Sequence, residues 1–265
     1  MSTAVKLASF VKTCWKLNLA GAMEFRFSFL ITAGTMIINN AVWVFFWWLY
    51  FNRFQTVNGW GLNDVMLMWA ISAGAFGLVS VFFGNALRLP SLIATGQLDA
   101  YLTQPKPILL HVLISRMSVS AIGDLTFAFL IYFWKGDVSL VGGAKFLLAL
   151  LIGAMIFLGM ALLLGTLAFY LGNTEGMSSM LFDSIVTFTV YPTDIFKGLG
   201  KALLFTLIPA GFISSMPIKL LRPAVDTPFL IAALAFSFAL VLFALWFFHR
   251  GLRRYTSGNM TGMRM

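Results

Sequence analysis

Charge is what this chain lacks most. Asp, Glu, Lys and Arg together make up 10% of its 265 residues, against about 25% in an ordinary soluble domain. That shortage, beside 60% hydrophobic residues, 28 Phe and 8 Trp, excludes a water-solvated globule and points to a chain solvated by lipid. Acidic residues number only nine, which leaves a net charge of +9. The basic residues are scattered between apolar runs, as membrane orientation signals are, and form no patch for nucleic acid. A single cysteine, Cys14, excludes an intrachain disulfide. The two histidines, His111 and His249, stand far apart, and neither H-E-x-x-H nor any clustered metal-ligand spacing occurs. No catalytic, cofactor-binding or metal-binding residue is therefore assigned. A phosphate-cradling G-x-x-x-x-G-K-[ST] loop is missing too: the one Gly-Lys pair, Gly200–Lys201, is followed by Ala202 and lacks the earlier glycine. No cleavable signal is expected, because charges run through residues 1–24 and the first apolar stretch is too long for one.

What is present is a series of apolar runs. A helix rises about 1.5 Å per residue, so roughly 20 apolar residues cross a hydrocarbon core of about 30 Å. Residues 27–51, 65–84, 109–134, 146–171 and 229–249 qualify, and the shorter run 177–191 is counted as well, giving an all-α membrane protein of six spans. Ahead of them, Leu7, Phe10, Val11, Cys14 and Trp15 recur at helical spacing, with Lys6, Ser9, Thr13 and Lys16 mostly opposite. This predicts an amphipathic helix over 1–24 lying in the membrane surface; the alternative is a disordered tail. Six spans place both termini on one side. With those termini inside, eleven of the eighteen basic residues are cytoplasmic, most clearly Arg250, Arg253 and Arg254, so the bias follows the positive-inside rule. The expected organisation is a surface helix at 1–24, a membrane domain at 25–250 and a cytoplasmic tail at 251–265.

All eight prolines fall in two places. Proline ends or kinks a helix, since it has no N–H to donate and clashes with the preceding turn. Pro90, Pro105 and Pro107 bracket the cytoplasmic loop 85–108. The other five lie in or beside 192–223, a segment too apolar for an aqueous loop and bisected by Pro209. It is expected to form two short helices that dip into the outer leaflet and turn back, since irregular backbone survives at membrane depth only where protein or a watery cavity satisfies it. One kinked additional span is the alternative, and it would place the C-terminal arginines outside.

Within the first loop, "ATGQLDAYLTQPKP" at 94–107 interrupts the hydrocarbon. Leu98, Tyr101 and Leu102 share one face of a short helix that follows Gly96 and stops at Pro105. Asp99 in its first turn suits the helix dipole. Such a helix either docks a soluble partner or rests on the protein's own membrane base. Intramembrane polar residues are the other candidates: Asn39, Asn40, Asp124 and Asp183 line a subunit interface or a substrate path, or they serve as hydrogen-bonded glue between helices. The clustered aromatics Trp43, Trp47, Trp48 and Tyr50 read as an interfacial belt.

The run "TGQLDAYLTQPKP" resembles the loop joining the second and third spans in permease subunits of type-two ABC transporters, with the match on Gly96, Leu98, Asp99, Leu102, Pro105 and Pro107. "YPTDIFKGLGKALLFTLIPAGFI" is similar to the outer-leaflet region before the last span, especially in the poorly characterised bacterial export branch. Lys106 departs from the small or apolar residue usual between the two prolines. The resemblance implies a permease of the bacterial inner membrane paired with a second permease, identical or homologous, and with two cytoplasmic ATPase subunits that bind ATP and Mg. It further implies that Gly96, Leu98, Asp99, Tyr101, Leu102 and Pro105 form a coupling helix seated in the ATPase. Besides an accessory or scaffold subunit without a transport path, two other classes stay open on residues alone. One is an ATP-independent channel or secondary transporter, although no internal repeat is visible. The other is an integral membrane enzyme acting on a lipid.

Overall fold

The computed structural model describes residues 3–256. The distal part of the expected tail, 257–265, lies outside the described residues. Among these, every regular element is helical, apart from one isolated bridge between Val57 and Trp60. Helix α1 is Thr3–Ala22, α2 Arg26–Arg53 and α3 Leu62–Phe82. Four short pieces of the chain follow: a 3-10 turn, then α4 (Leu89–Ala94), α5 (Asp99–Leu102) and α6 (Ile108–Ile114). Then come α7 (Ser120–Lys135), α8 (Leu140–Thr166), its continuation α9 (Ala168–Leu171) and α10 (Glu175–Thr189). The segment before the last helix contains α11 (Leu199–Leu203), α12 (Ala210–Ser214) and a π turn, Pro217–Leu221; α13 is Thr227–Leu252.

Among the described residues, four helices are long and apolar enough to cross a membrane: Arg26–Arg53, Leu62–Phe82, Leu140–Leu171 and Thr227–Leu252. The α3 helix is apolar on every side, as a helix surrounded by protein must be, and is the most buried of the four. Around it stand α2, α7, α8 and the α10–α12 pair. The contrast is α2, which buries only a stripe at roughly heptad spacing, Ala33, Asn40, Trp47 and Phe51, and leaves the rest of its apolar surface outward. Along α13, Ala233, Ser237, Ala244, Phe248 and Gly251 form the face laid on α8 and α9. Ends are capped by local chemistry: Ser139 Oγ accepts from the Gly142 N–H at 3.0 Å to start α8, and Asp226 Oδ1 accepts from the Phe229 N–H at 3.0 Å to start α13.

The third apolar run differs from expectation. Residues 109–134 were to be one helix; the chain forms α6 and α7 with non-helical residues between them. The end of α3 provides the reason, because it supplies partners for the freed backbone. Gly84 N–H donates to Arg116 O at 3.1 Å and Ser118 N–H to Ser80 O at 2.9 Å. The Asn85 amide donates to Val112 O at 2.9 Å and to Ser115 Oγ at 2.8 Å. A β-carbon on Gly84 would lie 2.7 Å from Arg116 O, so only glycine admits this approach. Ser115 and Ser118 both belong to this hydrogen-bonded break.

In the segment 192–223, α11 and α12 flank a turn containing Pro209, between a 3-10 turn at Thr193–Ile195 and the π turn. Ile208 N–H donates to Leu203 O at 2.9 Å and Gly211 N–H to Leu204 O at 2.7 Å, which folds α12 back against the end of α11. The two limbs differ: Leu199 and Leu207 point outward, whereas Ala210–Ser214 is fully buried against α3, α8 and α10.

Candidate functional site

The 94–107 loop is built on a rigid base. Leu89, Leu92 and Ile93 of α4 are buried against α8 and α9. The chain then turns at Gly96, whose φ of +75° is a left-handed conformation that glycine adopts without steric cost. Leu98, which the resemblance seats in the ATPase, is 0% exposed and belongs to the protein's own core. Tyr101 also turns inward: its hydroxyl lies 2.9 Å from Ser115 Oγ, and its ring meets His111 edge-on at 5.0 Å. Of the shared apolar face only Leu102, 38% exposed, stays available to another molecule. The outward rim is instead Thr95, Gln97, Ala100, Leu102–Gln104 and Pro105–Pro107. Asp99 faces a group more than 150 residues further along the chain. Burial and the Asp99 carboxylate together push the phenol of Tyr255, just beyond α13, well above its ordinary value.

The first helix is the second support. Its half-buried positions, Leu7, Phe10, Val11, Cys14, Trp15, Asn18 and Ala22, form the expected stripe, and that stripe is seated on protein. Trp15 Nε1 donates to Phe82 O at 2.9 Å and the Asn18 amide to Ile114 O at 2.9 Å. Phe10 lies edge-on to His111 at 5.1 Å, with Lys106 Nζ 4.3 Å above its ring. The unusual Lys106 thus has a local partner, a cation over an aromatic face. The loop, α1, α6 and the end of α13 therefore meet in one place, with the break at 115–119 directly behind it. Asn18 and Asn85 were missed from sequence; the available signal was an amide on an otherwise apolar helical stripe.

The intramembrane candidates divide. Asn40 and Asp124 come together: the Asn40 amide donates to Asp124 Oδ1 at 2.7 Å, and Trp69 Nε1 donates to Asn40 Oδ1 at 2.9 Å. Asp124 is 2% exposed, and its Oδ2 has no partner among the described residues. This clasp joins α2, α3 and α7 beside a close approach of α2 to α7, for a β-carbon on Gly123 would lie 2.2 Å from Ala33 O. Asn39 and Asp183 are not part of it. Both are exposed, Asp183 beside a small cleft against Leu87 and Pro90.

At the end of the bundle remote from the loop, Asn58 and Gly59 both have positive φ, as a type I′ turn requires. The turn folds Trp60 inward, where its Nε1 donates to Asp194 Oδ2 at 3.0 Å; Lys201 Nζ donates to Asp194 Oδ1 at 2.7 Å. These two bonds, the lysine's the stronger, hold the Asp194 carboxyl below its ordinary 3.8. A depressed folded-state value means stabilisation that is present above pH 3.8 and disappears as pH falls through the shifted value. Acidification below about pH 3.8 is expected to free the Trp60 indole, read as increased acrylamide quenching of tryptophan fluorescence; Asp194→Asn should abolish that transition.

Among the described residues, four apolar helices of membrane-crossing length define a membrane protein. A family model confirms and sharpens this: the chain belongs to the ABC-2 family of transporter proteins, matched over residues 37–259. It is an ABC-2 type permease. Searching the curated proteins gave no match.

Proposed function

We propose that this chain is the membrane-spanning subunit of an ATP-driven exporter, forming half of a translocation path with a second permease, identical or homologous. Two cytoplasmic ATPase subunits, carrying ATP and Mg, grip the outward rim of the 94–107 loop. ATP-driven closure of those subunits moves the loop, and the permeases rock as rigid bodies, a known route from a local event to a global change. In this reading the chain crosses a bacterial inner membrane six times, with α6–α7 as one interrupted crossing and α10 as a short one. Both termini are cytoplasmic, and 192–223 is a re-entrant hairpin in the outer leaflet.

The observation that carries the proposal is the bracing of the loop. Leu98 in the core, Tyr101 on Ser115, Phe10 under Lys106 and Asp99 beside Tyr255 make the rim stiff enough to transmit displacement. In this reading the exposed Asn39 and Asp183 meet a path or the second permease, while Asn40 and Asp124, bonded to each other, form an internal clasp.

Affinity purification in mild detergent tests this reading. A stoichiometric ATPase should co-elute, and Leu102→Asp should reduce it at least tenfold, as loss of an interface anchor does, while leaving the elution profile of the permease unchanged. A cysteine at Leu102 should react with impermeant reagent only from the cytosolic side. Labelling from the exterior of intact cells, or flux indifferent to ATP removal, would exclude the mechanism.

A further inference from the structure

Two adjoining cavities lie at the end of the bundle remote from the loop, and Trp60 and Asp194 form the wall between them. The first, about 220 Å³, is an aromatic slot walled by Trp43, Trp47, Tyr50, Trp60 and Tyr191. The second, about 430 Å³, holds Lys201, Lys219 and Arg222, with the Thr193 and Ser215 hydroxyls at its side. We propose that they are one two-part site for an anionic amphiphile: a phosphate or carboxylate among the three cations, and its apolar portion in the slot.

The basic cavity retains unused donor capacity. Lys201 pairs with Asp194 at 2.7 Å and Lys219 with Asp226 at 2.8 Å, each ammonium using one of its three donors. Arg222 binds Asp64 at 2.9 Å and the Gly59 carbonyl at 2.8 Å through the same terminal nitrogen, which leaves its other terminal nitrogen for a ligand. All three side chains are nearly half exposed, so an anion reaches them without breaking the fold. Only one of the three paired carboxylates, Asp194, lines the cavity itself, so its wall is cationic. Lys145 adds to the field nearby, held 3.1 Å from Arg222 O.

A cation in the aromatic slot is the competing chemistry, since rings around a carboxylate attract ammonium groups. Here the carboxylate is already committed on both oxygens, to Trp60 and to Lys201. The slot instead offers apolar surface and one spare donor: the Trp47 indole N–H is buried with no acceptor among the described residues. An ester or amide oxygen at the junction of head and tail supplies what that donor lacks. Binding in this site needs neither ATP nor a partner chain, so it stands apart from the coupling mechanism above.

The test is calorimetric titration of the protein in phosphatidylcholine nanodiscs with dihexanoyl phosphatidic acid, with dihexanoyl phosphatidylcholine and inorganic phosphate titrated separately. Phosphatidic acid is expected to bind at least tenfold more tightly than either. The Lys201→Gln/Lys219→Gln double variant should lose about tenfold in that affinity, and Lys201→Arg/Lys219→Arg should retain it, which separates lost charge from lost fold. Trp43→Ala, an exposed ring with no hydrogen bond to lose, should weaken phosphatidic acid and leave inorganic phosphate unchanged. Long-chain phosphatidic acid placed in the disc should block the soluble probe if a membrane lipid is the natural source; absence of blocking assigns the site to a soluble amphiphile. Equal binding of the two lipids, phosphate binding as tightly as phosphatidic acid, or an unaffected Lys→Gln variant would overturn the proposal.

Discussion

Gly123→Ala is expected to destabilise the protein by about 2–3 kcal/mol, near the upper end for overpacking. The added carbon would lie 2.2 Å from the Ala33 carbonyl oxygen and 2.8 Å from Met36 Cβ. The nearer obstacle is backbone, so relief requires α2 to back away from α7 along its whole length and pull Asn40 off Asp124. Gly34→Ala is the matched control. It stands in the same contact region, on α2, yet a β-carbon there meets nothing within 4 Å. Alanine is the better helix former by roughly 0.8–1 kcal/mol, so Gly34→Ala should hold or raise stability. Apparent melting temperatures in one mild detergent, read by size-exclusion recovery after heating, decide the matter. Equal behaviour of the two variants would remove close approach as the reason for glycine at 123.

The second large effect concerns the clasp itself. Asn40→Leu removes the amide that bonds Asp124 and the oxygen that receives Trp69, leaving a buried carboxylate and an indole N–H without partners. Orphaned buried groups of this kind cost more than the bonds were worth, about 3 kcal/mol here. Asp124→Asn keeps an acceptor for Asn40 and should stay within about 1 kcal/mol of the parent. Asn40→Leu with Asp124→Leu together should recover part of the loss, since no polar atom of the pair remains buried. Reversible unfolding in detergent measures all three. A transport assay adds the functional arm: Asp124→Asn with full stability and full flux places the residue in the architecture alone. Full stability with abolished flux would put the carboxylate in the path.

Helices long enough to span, the stripe on α1 and the proline-marked breaks were all legible in the residues, because each is a local property of composition or periodicity. The split of the third run at 115–119 was not. Ser115 and Ser118 do not break a helix by themselves, and what makes the break stable is the supply of partners from Ser80, Gly84 and Asn85, some thirty residues earlier. Leu98 shows the same limit from the other side. Its spacing with Tyr101 and Leu102 predicts a shared face but not whether that face meets another molecule or the protein's own base; Leu98 is buried and Leu102 exposed. Pairings across long separations, Asn40 with Asp124 or Trp60 with Asp194, were invisible for a similar reason. Each member was noticeable as a polar group or an indole in lipid-like surroundings, and only the packed helices decide which two meet.

The seating of α1 has a consequence for how the chain is made. Its two anchoring carbonyls belong to residues 67 and 96 positions further along. At roughly 5–20 residues per second, the second anchor leaves the ribosome about 5–20 s after the helix that needs it. The berth of the Trp15 indole, at Phe82, emerges first; until Ile114 follows, the Asn18 amide has none within the chain, and an amphipathic helix in that state is suited to wait in the lipid headgroup layer.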